Sequence, residues 1–513
     1  MLRDLDARER RPVRLGGAGA VLAFLALAGV QALAVRPYLP PDELYHVGYA
    51  ATILGGRLPT LTTPLPAGRV PLPPDDGQLR RVYVANHPPL FYAVAAVPLW
   101  LGERLGAPRA ALLGARLLSV WLAAAGVVMV AWLAALLVPA RPRVAIGAAW
   151  LAALLPSLPH VSAFVYNDGL GFLAATAALV AAVAVIRRGP ALPRLAGLTA
   201  ATAVAALTRA PGLALVAVAG AAAAGGVLLH RAGRPVRRLL LAAVAGGLVA
   251  GIAGGAASWF YLRNRALYGS VTGAAYNQRL FGFKPQDHAL ELAASPAYLL
   301  RLYDGLWVWT RFNLPRVPAV PVLVAIPRVL GVLALAGLAV AAAGALRARR
   351  APRWDAPAVL AWGLVLAWLA GVYAMVAAYD GNGGHTHPRY LFPALAVLAV
   401  LGATGLDRLP GGRRGLWLVG VALTQLALTG VAWAGLVTAL RGRRPEDPAD
   451  VLGALAGLLE DAGLPWPWLP PVLAGAAVAV ALALLMVALS PHRPPGPDGH
   501  AATIGTLETS HAA

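Results

Sequence analysis

The sequence predicts an all-α protein that crosses a membrane about twelve times, and three observations carry that prediction. Hydrophobic residues fill 59% of the 513 positions and charged residues only 13%, where a soluble globular chain carries about 25% charged residues. Apolar runs near 20 residues recur along the whole chain, the length a helix needs to cross a hydrocarbon layer. Polar and charged residues collect between these runs. A water-soluble core is excluded, because no single domain could bury so many apolar runs.

The predicted spans are 15–36, 115–138, 144–162, 169–186, 192–208, 212–230, 239–262, 319–345, 356–378, 390–406, 415–439 and 468–490. Residues 1–14 are basic and precede an apolar run, as in a signal peptide. The run is long enough to span, however, and no clear small-residue cleavage site precedes Pro37, so it reads as a retained first helix behind a cytoplasmic tail. One further run, 89–101, is shorter than the usual 17–25 residues of a spanning helix.

Arginines decide how that short run is placed. The clusters Arg141/Arg143, Arg187/Arg188/Arg194, Arg231/Arg234/Arg237/Arg238, Arg347/Arg349/Arg350/Arg353 and Arg408/Arg413/Arg414 all share the side of the basic N-terminus if 89–101 does not cross. They all fall outside if it does. Cytoplasmic loops carry the excess of Arg and Lys, so 89–101 is expected to be a re-entrant or surface-lying helix. Segments 37–114, 163–168, 263–318, 379–389 and 440–467 are then external. Arg441, Arg443 and Arg444 are the exceptions to the bias. Residues 15–406 form the expected membrane core, 407–490 a C-terminal helix pair, and 491–513 a disordered Pro/Gly/His-rich tail.

The formal net charge of +21 suggests nucleic acid, but the basic residues sit in short clusters between apolar runs, so no nucleic-acid partner is expected. Lys284 is the only lysine, and Ala, Gly, Arg and Pro abound, as in a GC-rich bacterial genome. Cysteine is absent, which excludes a disulfide framework and thiolate metal sites.

The external segments hold the residues that could carry chemistry. Asp42 and Glu43 are adjacent acids with His46 one helical turn on. Neighbouring carboxylates repel, so one holds its proton more tightly, and a poised carboxylate suits general-base work. Helix capping by Asp42 is the plainer alternative. His87, in Asn86-His87-Pro88-Pro89, could meet an anionic head group. Arg116 opens a membrane helix, where an arginine usually pairs or functions, and a phosphate suits its planar fork. Asp168 lies where one helix leaves and the next returns, and could equally be an N-cap. Arg209, Arg263 and Arg265 are further external arginines, and Trp307 and Trp309 could stack on a sugar or anchor the interface. His385 and His387 are weak metal candidates, because a metal needs three or four ligands. Arg389 again opens a span from outside. This convergence of arginines and carboxylates suits a polyprenyl-phosphate ligand.

Taken in order, these motifs resemble the membrane-embedded, lipid-linked-sugar glycosyltransferases of the GT-C fold. The likeness is to the glycosyltransferase 39 and DUF2142-like branch, with its protein mannosyltransferases and aminoarabinose transferases. It rests on Asp42-Glu43 with His46, His87-Pro88-Pro89-Leu90, Ala115-Arg116-Leu117-Leu118-Ser119, Asn167-Asp168-Gly169, Leu262-Arg263-Asn264 with Tyr268-Gly269, and Arg389-Tyr390-Leu391-Phe392-Pro393. The resemblance implies a GT-C-like core and three catalytic carboxylates: Asp42 as general base, Glu43 as the alternative base that the sequence does not separate from it, and Asp168 positioning the acceptor or the sugar. It implies a polyprenyl-monophosphate sugar donor, with inversion at the anomeric carbon. Arg116, His87, Arg263 and Arg389 would hold the donor phosphate, and His46, Asn167, Tyr379 and Asp380 would meet the acceptor or the sugar. The acceptor would be a cell-envelope glycan or lipid, at the outer face of a bacterial plasma membrane. No large soluble segment follows the membrane core, unlike in many protein-modifying members, which argues against a folded protein acceptor. No cofactor is assigned, and a divalent metal stays open.

Two other readings compete. A transporter would show internal repeats and mid-membrane polar residues; the sequence shows no repeat, and its ionisable residues cluster at one face. A polysaccharide polymerase or ligase would use a diphosphate donor and a large late loop, a role that 263–318 could fill.

Overall fold

The computed structural model describes residues 7–72, 80–283, 288–308, 321–347, 355–384, 387–409, 415–441 and 448–490. His385, Trp309, Arg349, Arg350, Arg353, Arg413, Arg414, Arg443, Arg444 and the segment 491–513 lie outside them. The described residues are built from helices, most of them joined by short connections, with two isolated β-bridges in the long segment between Leu54 and Leu90. Ten of the helices are long and apolar enough to cross a membrane, and the protein is an all-α, polytopic membrane protein.

The first ten helices, with the later Pro388–Ala394 3-10 helix, position the site. They are α1 (Ala7–Ala34), α2 (Glu43–Leu54), α3 (Leu90–Arg104), α4 (Pro108–Leu137), α5 (Pro142–Ala153), α6 (Ser157–Ser162), α7 (Asp168–Arg188), α8 (Leu192–Ala206), α9 (Ala210–His230) and α10 (Pro235–Tyr268). Five of these, α4, α5, α8, α9 and α10, carry proline within their first two positions. There the missing N–H is one the helix cannot use anyway.

Two of the predicted spans take a different form. The run 144–162 is split into α5 and α6 at Leu154-Leu155-Pro156. Proline lacks the N–H for the ladder and pushes the preceding residue out of the helical region. Leu154, Leu158 and Val161 are fully buried, so the break lies inside protein, where irregular backbone at membrane depth is tolerated. The run 192–208 forms α8, with only 15 residues. The run 239–262 is longer than predicted: α10 has 34 residues and carries Arg263, Asn264 and Arg265 on its last turns, ending at Gly269 with φ +76°, the left-handed conformation that glycine adopts without strain. The short run 89–101 is the 15-residue α3, which buries Phe91, Tyr92, Ala95, Ala96 and Leu99 on one face and exposes Val97, Trp100 and Leu101 on the other. At 1.5 Å per residue it is about 22 Å long, short of the hydrocarbon thickness.

α7 is buried on every side, with Phe172, Leu179, Val183 and Ile186 all closed to solvent. It packs tightly on α4, where a Cβ added at Gly126 would lie 2.5 Å from the Phe172 ring. The helix ends sort onto two faces. On one, Arg141 pairs with Asp407 at 2.7 Å, Arg187 with Asp355 at 3.4 Å, and His230 Nε2 meets the Ile186 carbonyl at 2.8 Å. On the other lie α2, the α6–α7 connection, the α8–α9 turn, the end of α10 and the entry to the Pro388–Ala394 3-10 helix, joined by the contacts described below. The segment 440–467 is not a bare loop: helix Pro448–Asp461 packs Leu455, Leu458 and Leu459 against Val30, Ala34 and Trp433. Asp461 there pairs with Arg36 at 3.4 Å and with Arg441 at 3.5 Å, which gives a partner to one of the arginines that depart from the charge bias.

Candidate active site

Asp42 occupies the N-cap position of α2, yet its side chain makes no capping bond. Its Oδ1 accepts a 2.7 Å hydrogen bond from the Tyr83 hydroxyl, and its Oδ2 pairs with Arg389. The next side chain turns about 100° around the helix and meets a different partner. Glu43 Oε1 accepts from Arg116 Nε at 2.7 Å and Oε2 from Nη2 at 2.6 Å. Glu43 also accepts from the backbone N–H groups of Tyr38 at 3.0 Å and Val165 at 3.2 Å. Arg116 directs its remaining N–H groups to the carbonyls of Ala32 (2.8 Å), Val35 (2.7 Å) and Arg36 (3.2 Å). These carbonyls lie at and just past the end of α1, where the helix leaves acceptors without an intrahelical partner. A guanidinium has five N–H donors, and all five are engaged. Both side chains are closed to solvent, so Glu43 and Arg116, expected as a base candidate and a phosphate ligand, form a saturated structural pair.

Four charged side chains converge beside this pair. Asp168, the first residue of α7, pairs with Arg209 from the α8–α9 turn. Arg389 stands between Asp42 and Asp168, with Nη1 3.9 Å from Asp168 Oδ2. The order Asp42, Arg389, Asp168, Arg209 thus alternates in sign. Asp168 keeps 2% of its side-chain surface open, Arg389 9% and Arg209 11%, while Asp42 keeps 24%. Asp42 is therefore the carboxylate a substrate can reach. Arg389 Nε is buried with no hydrogen-bond partner among the described residues. Aromatic rings support the two arginines: Arg389 lies 4.9 Å from the Tyr166 ring, and Tyr390 lies 5.9 Å from Arg389 and 5.6 Å from Arg209. Such contacts stabilise a cation most where water is excluded.

The environment sets the protonation states. Burial alone would raise the Asp42 carboxyl, but Arg389, with the Tyr83 hydrogen bond, outweighs it and holds the group well below the usual carboxylate range. Burial pushes His46 and His387 well below the ordinary histidine value, with Arg389 adding to the effect. Burial, Arg209 and Arg389 push His87 down to about 3. The imidazoles around Asp42 are thus neutral. His46 Nδ1 lies 3.0 Å from the Tyr92 hydroxyl, and its ring stacks 6.4 Å from that of His87. The Tyr49 hydroxyl donates to the His87 carbonyl at 3.1 Å, which fixes the backbone there.

The other predicted residues divide. Tyr379 joins the site edge, its ring perpendicular to Tyr390 at 5.4 Å. His387 Nδ1 accepts the Arg389 backbone N–H at 3.4 Å and so caps the 3-10 helix. Asn167 donates to the Thr208 carbonyl at 3.3 Å, tying the start of α7 to the turn that carries Arg209. Asp380 accepts from the Tyr298 hydroxyl at 2.5 Å, outside the charged quartet. Arg263 donates to the carbonyls of Leu58 and Pro59 at 3.3 and 2.9 Å, bracing the first loop against α10. Among the described residues, no three His, Cys, Asp or Glu side chains converge as a metal site. Sequence reasoning passed over Tyr83. Its ring is held between Tyr45 at 3.9 Å and Phe281 at 5.1 Å, a placement that no motif announces.

No protein-family model and no curated protein matches the chain. Among solved structures, it is similar to ArnT from Cupriavidus metallidurans bound to undecaprenyl phosphate, at 18% identity and TM-score 0.46, over 93% of this chain and 76% of that one. It is also similar to the Archaeoglobus fulgidus oligosaccharyltransferase in the apo form, at 15% identity and TM-score 0.39, over 90% of this chain and 56% of that one. The complex of that oligosaccharyltransferase with zinc and sulfate gives 14% identity and TM-score 0.44, over 83% and 56%.

Proposed function

We propose that this protein is a GT-C-type membrane glycosyltransferase. It moves a sugar from a polyprenyl-monophosphate donor to an acceptor hydroxyl on a cell-envelope glycan or lipid. The reaction takes place at the extracytoplasmic face of a bacterial plasma membrane. The observation that carries this reading is the quartet: two guanidiniums and two carboxylates from four separate segments, in which Asp42 is the carboxylate open to a substrate.

In this mechanism Asp42 takes the proton of the acceptor hydroxyl. The freed oxygen attacks the anomeric carbon from the face opposite the phosphate and inverts it. The bond from that carbon to the phosphate oxygen breaks, and its electron pair leaves with polyprenyl phosphate. Arg389 and Arg209 stabilise the charge that grows on the leaving group, the kind of preorganised electrostatic assistance that often dominates catalysis. Neutral His87 and His46 offer hydrogen bonds to the donor head group and the sugar. Asp168 holds both arginines in place. Glu43 and Arg116 are assigned to the scaffold, where they fix α2, and with it Asp42, to the end of α1 and to α4.

The test compares purified wild type with Asp42→Asn, using radiolabelled polyprenyl-phosphate sugars and an envelope acceptor fraction. Loss of a positioned general base costs about 10²–10⁴-fold, so transfer should collapse while donor binding persists. Undiminished transfer by Asp42→Asn would remove Asp42 from the mechanism. Failure of every monophosphate donor with wild type would overturn the donor class.

A further inference from the structure

We propose that Arg389 makes Asp42 a donor-gated base: the residue that holds Asp42 inactive at rest is the one the donor phosphate takes away. This inference rests on the reading of Asp42 as the base.

Both Asp42 oxygens are occupied in the free protein, one by the Tyr83 hydroxyl at 2.7 Å and the other by Arg389. A carboxylate paired with a guanidinium in a closed site is a weak base, because protonating it would strand the cation. The position of Arg389 shows how it can be released. It is shared between two carboxylates and is loosely placed on the second, at 3.9 Å from Asp168, which Arg209 already neutralises. Its Nε–H is buried without a hydrogen-bond partner among the described residues. A buried donor left unmade is costly, and it marks a direction from which an acceptor is missing. The oxygens of a phosphodiester match the Nε and Nη pair of a guanidinium bidentately.

Once phosphate engages Arg389, Asp42 loses its nearest cation and its proton affinity climbs towards that of an ordinary carboxylate. The Tyr83 hydrogen bond still holds it in place, with the Tyr83 ring fixed between Tyr45 and Phe281. The other groups facing Asp42 cannot substitute for this change. His46 on α2, His87 on the first loop and His387 before the 3-10 helix are neutral. Tyr166 packs under Arg389, and Glu43 is saturated by Arg116. The base therefore becomes competent only when a donor is present, and the acceptor is deprotonated only in the ternary complex.

Donor binding must then carry a proton linkage that needs no turnover to be seen. The measurement is the affinity of the full-length, detergent-solubilised protein for a non-transferable polyprenyl-phosphodiester sugar analogue, from about pH 7 to about pH 3, so that the window extends below the ordinary carboxylate value of about 4. The single charge of the analogue does not titrate in that range. Binding raises the proton affinity of Asp42, so wild-type affinity should be flat near neutrality. It should then tighten, by up to about tenfold per pH unit, as pH falls through the ordinary carboxylate value of about 4. In Asp42→Asn the slope should vanish while the analogue still binds. An equal slope in Asp42→Asn would assign the linkage to a histidine and overturn the gate. A flat wild-type profile, with transfer still lost in Asp42→Asn, would leave the base assignment standing and reject the gate. An analogue that binds at no pH would reject the donor class, and the gate with it.

Discussion

Substitution of Arg116 separates a structural pair from a phosphate ligand. Arg116→Ala would leave the Glu43 carboxylate buried, keeping only its contacts with the N–H groups of Tyr38 and Val165. It would also strip the carbonyls of Ala32 and Val35 of the Arg116 donors, while Arg36 keeps the Leu39 N–H. Removing one partner of a buried ion pair typically costs 3–5 kcal/mol, because the other charge stays uncompensated, so about 3–5 kcal/mol is expected here. Replacing both partners with apolar residues, Glu43→Leu with Arg116→Met, removes the stranded charge and leaves mainly the unmet α1 carbonyls. The double variant should therefore be more stable than the two single losses predict, with a coupling of roughly 2 kcal/mol. Detergent-induced unfolding followed by tryptophan fluorescence gives the free energies, and analogue binding to the folded fraction gives the second readout. If Arg116→Ala folds as well as wild type but loses the donor analogue, the structural assignment is wrong and Arg116 is a phosphate ligand.

Three further outcomes follow from particular contacts. Tyr83→Phe deletes one hydrogen bond to an ionised carboxylate and should lower kcat about tenfold, with a smaller change in donor KM; steady-state kinetics at saturating donor decide it. Gly337→Ala would place a Cβ 1.9 Å from the Gly405 carbonyl oxygen at a helix contact, and the forced separation should cost about 1–3 kcal/mol or more, read as a lowered thermal midpoint. His87 is held down to about 3 in the fold but protonates near 6.5 when unfolded. Its contribution to stability is therefore present above about 6.5 and lost as pH falls towards 3. A stability profile between pH 7 and about 4 should flatten in His87→Gln.

What the sequence revealed and what it hid follow from the range of the forces involved. Spans are legible because hydrophobicity and length are local, and the arginine bias predicted that α2, Asp168 and Arg389 would share a face, as they do. The break at Pro156 was visible as a proline inside an apolar run, but its tolerance depends on burial by neighbouring helices. The extension of α10 past Arg263 was hidden because charged residues read as loop, whereas here they brace loop carbonyls from the side of a helix. Asp42 and Glu43 could not be told apart as letters. Helical rotation sends one towards Arg389 and an opening, and the other towards Arg116 and a saturated core. Pairings across 73 and 347 residues of chain leave no local trace.

The same geometry bears on why a neutral quartet is a suitable place to generate charge. Its two carboxylates and two guanidiniums sum to zero in a water-poor site, where an unbalanced charge is costly. On the proposed reading a donor phosphodiester arrives with one negative charge, and the leaving phosphate acquires a second. The proton that Asp42 accepts removes one negative charge from the opposite side of Arg389 at the same step. The site's total is unchanged, and the negative charge shifts across a single guanidinium, from a carboxylate to a phosphate. Arg389 therefore neutralises Asp42 before the donor arrives and the phosphate once the donor is bound, and Asp168 and Arg209 keep it placed throughout. Arg389→Lys keeps the charge but loses the planar fork. It should retain the fold while losing the bidentate hold on the leaving phosphate, so kcat should fall much further than donor affinity. A variant with equal losses in both would show that Arg389 serves binding alone.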